Sequence, residues 1–213
     1  MELIQQYFTA FTSNQLQKFA ALQPLYTEWN TKINVISRKD IEALYEKHIL
    51  HSLAIAAVFN FKDDAQILDL GTGGGFPGVP LAIYYPNVQF TLVDSINKKL
   101  KVIDAIASEL GLTNITTIHT RVEDIKDKAF DYVVTRAVAN LSQLWQWSKP
   151  LLKKNNTAIK IDNTNNLHSL ICLKGGDLAA EIQTSQTKPR VWDLEQLFAT
   201  PFFNQKYMLQ VSK

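Results

Sequence analysis

With 213 residues, 46% of them apolar, and a net charge of +2, the chain is sized for one α/β domain with a modest extension. It lacks the basic excess of a protein that grips nucleic acid chiefly by charge, and its single cysteine, Cys172, excludes an intramolecular disulfide. No apolar run approaches the ~18–20 residues of a spanning helix, and the N-terminus shows no secretory pattern, so a cytoplasmic protein is expected.

The first sixty residues read as helical. Leu3, Ile4, Tyr7, Phe8 and Phe11 form one apolar stripe, and Thr12 to Gln15 can act as a capping box for the next helix. Leu16, Phe19, Leu22, Tyr26 and Trp29 continue a buried face, which Pro24 is expected to kink or interrupt. Ser37 is a candidate cap for a third helix over Lys39–Phe59.

From residue 66 strands alternate with helices, the pattern of a parallel sheet. Strands are expected at 66–70, 88–94, 115–119, 130–135 and 170–174, with helices after Pro77 and over 97–110, 141–152 and 177–182. Residues 153–166 read as an Asn-rich loop. Two final strands, 190–198 and 206–211, are close enough to pair antiparallel. The expectation is a Rossmann-like, mostly parallel seven-stranded sheet with an antiparallel C-terminal strand, over residues 61–213, preceded by a helical extension over 1–60.

The most informative segment is QILDLGTGGGFPG, Gln66 to Gly78, which holds five of the chain's eight glycines. Glycines concentrated after a parallel strand let a ligand approach the main chain. Gly73-x-Gly75-x-x-Gly78, with Asp94 downstream, formally satisfies the dinucleotide fingerprint, so NAD competes for the site. Asp69 inside the strand, and Phe76-Pro77 within the fingerprint, favour S-adenosylmethionine, which has no diphosphate to cradle. Asp94 ends the second strand, where a carboxylate can accept both ribose hydroxyls; it can equally cap the following helix. Glu123 or Asp124 could meet an adenine amino group, with Val122 packed on the ring.

With EWNTKINVISRKD, KHILHSL, ILDLGTGGGFPGVPLAI, FTLVDS, RVED, FDYVVTRAVANL and LKGG in view, nearly the whole chain resembles the glucose-inhibited division protein B family, also called ribosomal RNA small subunit methyltransferase G. The resemblance implies a S-adenosylmethionine-dependent methyltransferase fold and methylation of guanine N7 in 16S ribosomal RNA. It places Gly71, Gly73, Gly75 and Phe76 against the cofactor, Asp94 on its ribose, Val122 and Glu123 along its adenine, and Arg136 at the mouth of the methyl-transfer site. His51 departs from the family's H-x-x-D-S-L pattern, in which many relatives carry Asp. No metal is expected, the RNA partner is free or in the ribosomal subunit, and a monomer is expected.

What is missing agrees with that acceptor. Thr135-Arg136-Ala137 stands where methyltransferases acting on exocyclic amines carry a Pro-Pro loop. Cys172, the one candidate nucleophile, lies in the apolar run LICLKGG. Guanine N7 has an in-plane lone pair and needs only positioning. Arg136 could contact guanine O6, a phosphate or the cofactor carboxylate. A small-molecule methyltransferase, and a non-catalytic RNA-binding module on the same fold, remain the alternative readings.

Overall fold

The structure, a computed structural model, describes residues 1–37, 39–126, 129–136, 138–154 and 167–213. Residues 155–166 of the expected loop, and Arg38 and Ala137 from the motifs above, lie outside the described residues.

Helix α1 spans Glu2–Tyr7 and α2 spans Ser13–Lys32, the latter opened by the capping box of Thr12 and Gln15. Pro24 does not interrupt α2. A proline leaves the carbonyl four residues back without its helical partner. Here the Tyr45 hydroxyl approaches that carbonyl, Ala20 O, at 3.4 Å and donates to Phe19 O at 3.0 Å, so the helix runs through. The third helix begins later than the sequence suggests: residues 39–43 are turns and a bend, a π-helical turn covers Tyr45–Leu50, and α3 covers His51–Val58. The Ser37 hydroxyl bonds the Asp40 carboxylate, so it closes a turn rather than capping a helix.

The sheet consists of β1 (Gln66–Leu70), β2 (Gln89–Asp94), β3 (Ile115–His119), β4 (Tyr132–Arg136), β5 (Ser169–Gly175), β6 (Arg190–Asp193) and β7 (Lys206–Ser212), in the spatial order β3-β2-β1-β4-β5-β7-β6. All pairs are parallel except those of β7, which runs antiparallel to both β5 and β6. β6 stops at Asp193 instead of reaching Phe198, because the Asp193 side chain accepts from Glu195 N and opens a 3₁₀ turn over Leu194–Gln196. Helices α4 (Gly78–Tyr84), α5 (Asn97–Glu109), α6 (Leu141–Leu151) and α7 (Ala179–Ser185) complete the fold.

Strand alternation decides which residues meet. Ile67, Tyr132, Val134, Ile171 and Leu173 belong to a large apolar cluster that also contains Ile4, Phe19, Leu22, Tyr26 and Leu53 of the N-terminal helices. Leu68, Leu70, Val133, Leu170 and Cys172 pack in a second cluster with Leu141, Leu144 and Leu151 of α6. Two-residue periodicity therefore puts Asp69 and Arg136 on the N-terminal helices' face. The chain runs from β1 out to β3 and returns to β4 on the other side of β1, so the carboxyl ends of β1 and β4 flank a crevice where α/β sheets bind ligands.

Candidate functional site

The glycine turn follows β1 into that crevice. Gly71, Gly73 and Gly75 have φ of +68°, +60° and +97°, the left-handed region that side chains disfavour. The glycines are nonetheless not all bare for a ligand. A Cβ at Gly75 would lie 2.7 Å from the Val79 side chain and 3.0 Å from the Tyr26 hydroxyl, and one at Gly78 would lie 2.7 Å from Asp69 Oδ2. Packing alone demands these two. Asp69 Oδ2 accepts from Thr72 Oγ1 at 2.6 Å and Gly78 N at 2.8 Å, while Oδ1 is buried without a partner. Burial raises its pKa to about 7, against the hydrogen bonds from Thr72 and Gly78, which lower it.

Two cavities open at this sheet edge. The smaller, 210 Å³, is lined by Leu70, Gly71, Asp94, Val122, Glu123 and Trp147 among others. Asp94 is mostly buried; its Oδ2 accepts from Gly73 N at 2.9 Å and its Oδ1 from Ile96 N at 2.8 Å. Asp94 therefore does not cap α5, whose N-cap is Ile96 with no side-chain cap bond, and each of its carboxylate oxygens keeps a lone pair for a ligand. Val122 and Glu123 sit on a 3₁₀ turn over Val122–Asp124. Trp147, on α6, is a lining residue that the sequence reading missed. Its signal was faint, because a tryptophan in an amphipathic helix reads as core.

The larger cavity, 780 Å³, is lined by Lys47, His48, His51, Arg136, Lys174, Phe202 and Lys206 among others. Arg136 is half-buried at the end of β4. Its Nη1 donates to Lys47 O at 3.0 Å, its Nη2 to His48 Nδ1 at 2.8 Å, and its guanidinium lies 5.2 Å from the centre of the Phe76 ring. These are neutral partners, and no carboxylate pairs with Arg136 among the described residues. Desolvation lowers its pKa to about 10. His48 and His51 are pushed down to about 3, first by burial and next by Arg136, so both are neutral. His51 Nε2 is buried without a hydrogen-bond partner.

Phe76 itself is buried between Tyr26, at 5.0 Å between ring centres, and His48, at 4.9 Å. The Tyr26 hydroxyl donates to Gly74 O at 2.7 Å, fastening the glycine turn to α2. The expected site residues therefore separate. Gly71, Asp94, Val122 and Glu123 line the smaller cavity and Arg136 the larger; Gly75 and Phe76 form packing behind them, and Gly73 lines neither but bonds Asp94 through its N–H.

Val138 lines both cavities and is 42% exposed, unusual for a valine. Its methyl groups lie 2.7 and 3.0 Å from where a Gly71 Cβ would be. The turn that carries it is pinned: Lys174 Nζ donates to Ala139 O and pairs with Glu181, which accepts from Leu141 N at 2.6 Å. Cys172 is fully buried and its thiol is pushed up to about 12, so it supplies no nucleophile. Among the described residues no cluster of acidic, His and Cys side chains suits a metal, and no helix is long and apolar enough to cross a membrane.

A sheet of this order, with a glycine turn, a carboxylate ending β2 and a crevice at β1 and β4, defines a Rossmann-like, S-adenosylmethionine-dependent methyltransferase. Solved structures share the fold. A SAM-dependent methyltransferase from Aquifex aeolicus aligns with TM-score 0.57 and 13% identity over 83% of this chain and 98% of that one. A precorrin-6y C5,15-methyltransferase from Geobacter metallireducens aligns with TM-score 0.51 and 12% identity over 85% of this chain and 92% of that one.

The sequence is more specific. Residues 15–208 match the family described as GidB, rRNA small subunit methyltransferase G, and the chain belongs to that family. Proteins named ribosomal RNA small subunit methyltransferase G are 52% identical in Phocaeicola vulgatus, over 100% of this chain and 98% of that protein, and 45% identical in Cytophaga hutchinsonii, over 99% of each.

Proposed function

We propose that this chain methylates N7 of a guanine in 16S ribosomal RNA, as a cytoplasmic monomer acting on free RNA or on the ribosomal subunit. One observation carries the reading: two cavities of different chemistry meet at Val138, with no activated nucleophile or base beside the junction among the described residues. Residues 61–213 form the cofactor-binding domain, and residues 1–60 an extension that walls the acceptor cavity through Lys47, His48 and His51.

S-adenosylmethionine supplies a methyl group on a cationic sulfur; guanine N7 takes it with its lone pair, the S–C pair stays on sulfur, and no proton leaves. The residues follow from that demand. Gly71 makes room for the Val138 side chain where the cavities meet, Asp94 would offer its lone pairs to the ribose, and Val122, Glu123 and Trp147 would enclose the adenine. Gly73 orients Asp94 through its N–H, Gly75 shapes the turn, and Phe76 backs the Arg136 guanidinium. Arg136 is the catalytic residue: a cation with no carboxylate, it attracts guanine O6 or a phosphate and holds N7 in line. The neutral His48 and His51 are not needed as bases.

Incubating the protein with radiolabelled S-adenosylmethionine and small-subunit ribosomal RNA, free and in the subunit, tests this. Label that maps to chain cleavage at 7-methylguanine is the expected result. Label on another base, or on a small molecule only, would overturn the assignment.

A further inference from the structure

We propose that Phe202 and Lys206 form the nucleotide-holding face of the larger cavity, the ring stacking on the target base and the ammonium binding a phosphate of the same strand. This rests on reading that cavity as the acceptor site. Of the four cations lining it, Lys47 is paired with Asp40 at 2.5 Å and Lys174 with Glu181 at 2.7 Å. Arg136 and Lys206 have no carboxylate partner among the described residues. Arg136 is held by its bonds to Lys47 O and His48, whereas Lys206 is at the first position of β7, on a flexible stem.

Phe202 is built as a platform. It is half-buried on a 3₁₀ turn over Pro201–Phe203, and two buried rings brace it edge-on: Phe203 at 5.0 Å and 78°, His51 at 5.5 Å and 78°. The Lys206 ammonium sits 5.5 Å from its ring centre. Lys206 lies against Gly175, its cross-strand partner, where a Cβ would come within 2.9 Å of Lys206 Nζ. An arriving base takes the ammonium's place on the ring, and the released cation moves to the strand's phosphate. Stacking accepts any base, so this pair supplies grip and leaves base choice to others.

The test measures steady-state methylation of small-subunit ribosomal RNA at saturating S-adenosylmethionine, with cofactor affinity followed by calorimetry. Phe202→Leu should raise KM for RNA about tenfold, with kcat and cofactor affinity near wild type, and Phe202→Tyr should restore KM. Lys206→Met should flatten the slope of log KM against log salt by roughly 0.7 to 1, the effect of one lost phosphate contact. An unchanged salt slope in Lys206→Met, or equal KM values in wild type and Phe202→Leu, overturns the platform. Should Phe202→Leu fail to fold, Phe202→Tyr and Lys206→Met still decide. An active wild type with unaffected variants sinks this proposal alone; a wild type that methylates no RNA sinks the acceptor reading beneath it.

Discussion

The two cavities on either side of Val138 are built in different ways. The smaller draws on the ends of β1 and β2 and the turn after β3, so most of its residues sit in short contiguous motifs. The larger gathers side chains from the π-helical turn, α3, the ends of β4 and β5, α7 and the β6–β7 connection, separated by as much as 166 positions between Asp40 and Lys206. On the proposed assignment, a cofactor common to many enzymes would be held by local backbone geometry, and an acceptor particular to one family by a tertiary assembly.

The comparison breaks most sharply at their junction. Val138→Phe should fill the passage and lower kcat about 10²-fold or more, with affinities for S-adenosylmethionine and RNA little changed, as measured by single-turnover rates beside calorimetry. Loss of either affinity instead would place Val138 inside one cavity rather than between two. Arg136→Met should cost a similar factor in kcat/KM while leaving the thermal midpoint equal or higher, because a desolvated cation without a carboxylate is removed. A large fall in the midpoint would make Arg136 a structural tie.

Asp94→Asn sharpens the contrast further, since it alters only the smaller cavity: cofactor affinity should weaken about tenfold through lost charge-assisted bonds, while KM for RNA stays put. Two kinds of buried group behind the cavities also respond oppositely to pH. Asp69, with its folded pKa raised to about 7, contributes stability below its unfolded value near 3.8 that is lost as pH rises through 7. His48 and His51, depressed from 6.5 to about 3, contribute stability present above 6.5 and lost as pH falls toward 3. Acidifying from ~8 to ~5 should therefore stabilise wild type relative to Asp69→Asn, read from denaturation midpoints. Equal shifts in both proteins would contradict the raised pKa of this buried carboxylate.

Legibility in the sequence followed the same divide. Strands β1 and β3 and the capping box of Thr12 and Gln15 were readable because their signals are local. The start of the third helix was not, since Ser37, Lys47 and Asp40 join in a turn that only folding assembles. Pro24 misled because the compensating hydroxyl, Tyr45, comes from another helix. The glycine turn stood out correctly, yet the reason for Gly75 and Gly78 is contact with Tyr26, Val79 and Asp69, which no local pattern reveals. Arg136 drew notice from its strand-end position; Val138 lies within FDYVVTRAVANL with nothing to mark it as a lining residue, and Phe202 and Lys206 bear no motif.

The most direct measurement is a crystal structure with S-adenosylhomocysteine bound. The adenosine should lie in the smaller cavity, its ribose hydroxyls on Asp94 and its base between Val122 and Trp147, with the sulfur beside Val138 facing Arg136. An adenosine found in the larger cavity, among His51, Phe202 and Lys206, would contradict the division of labour between the two.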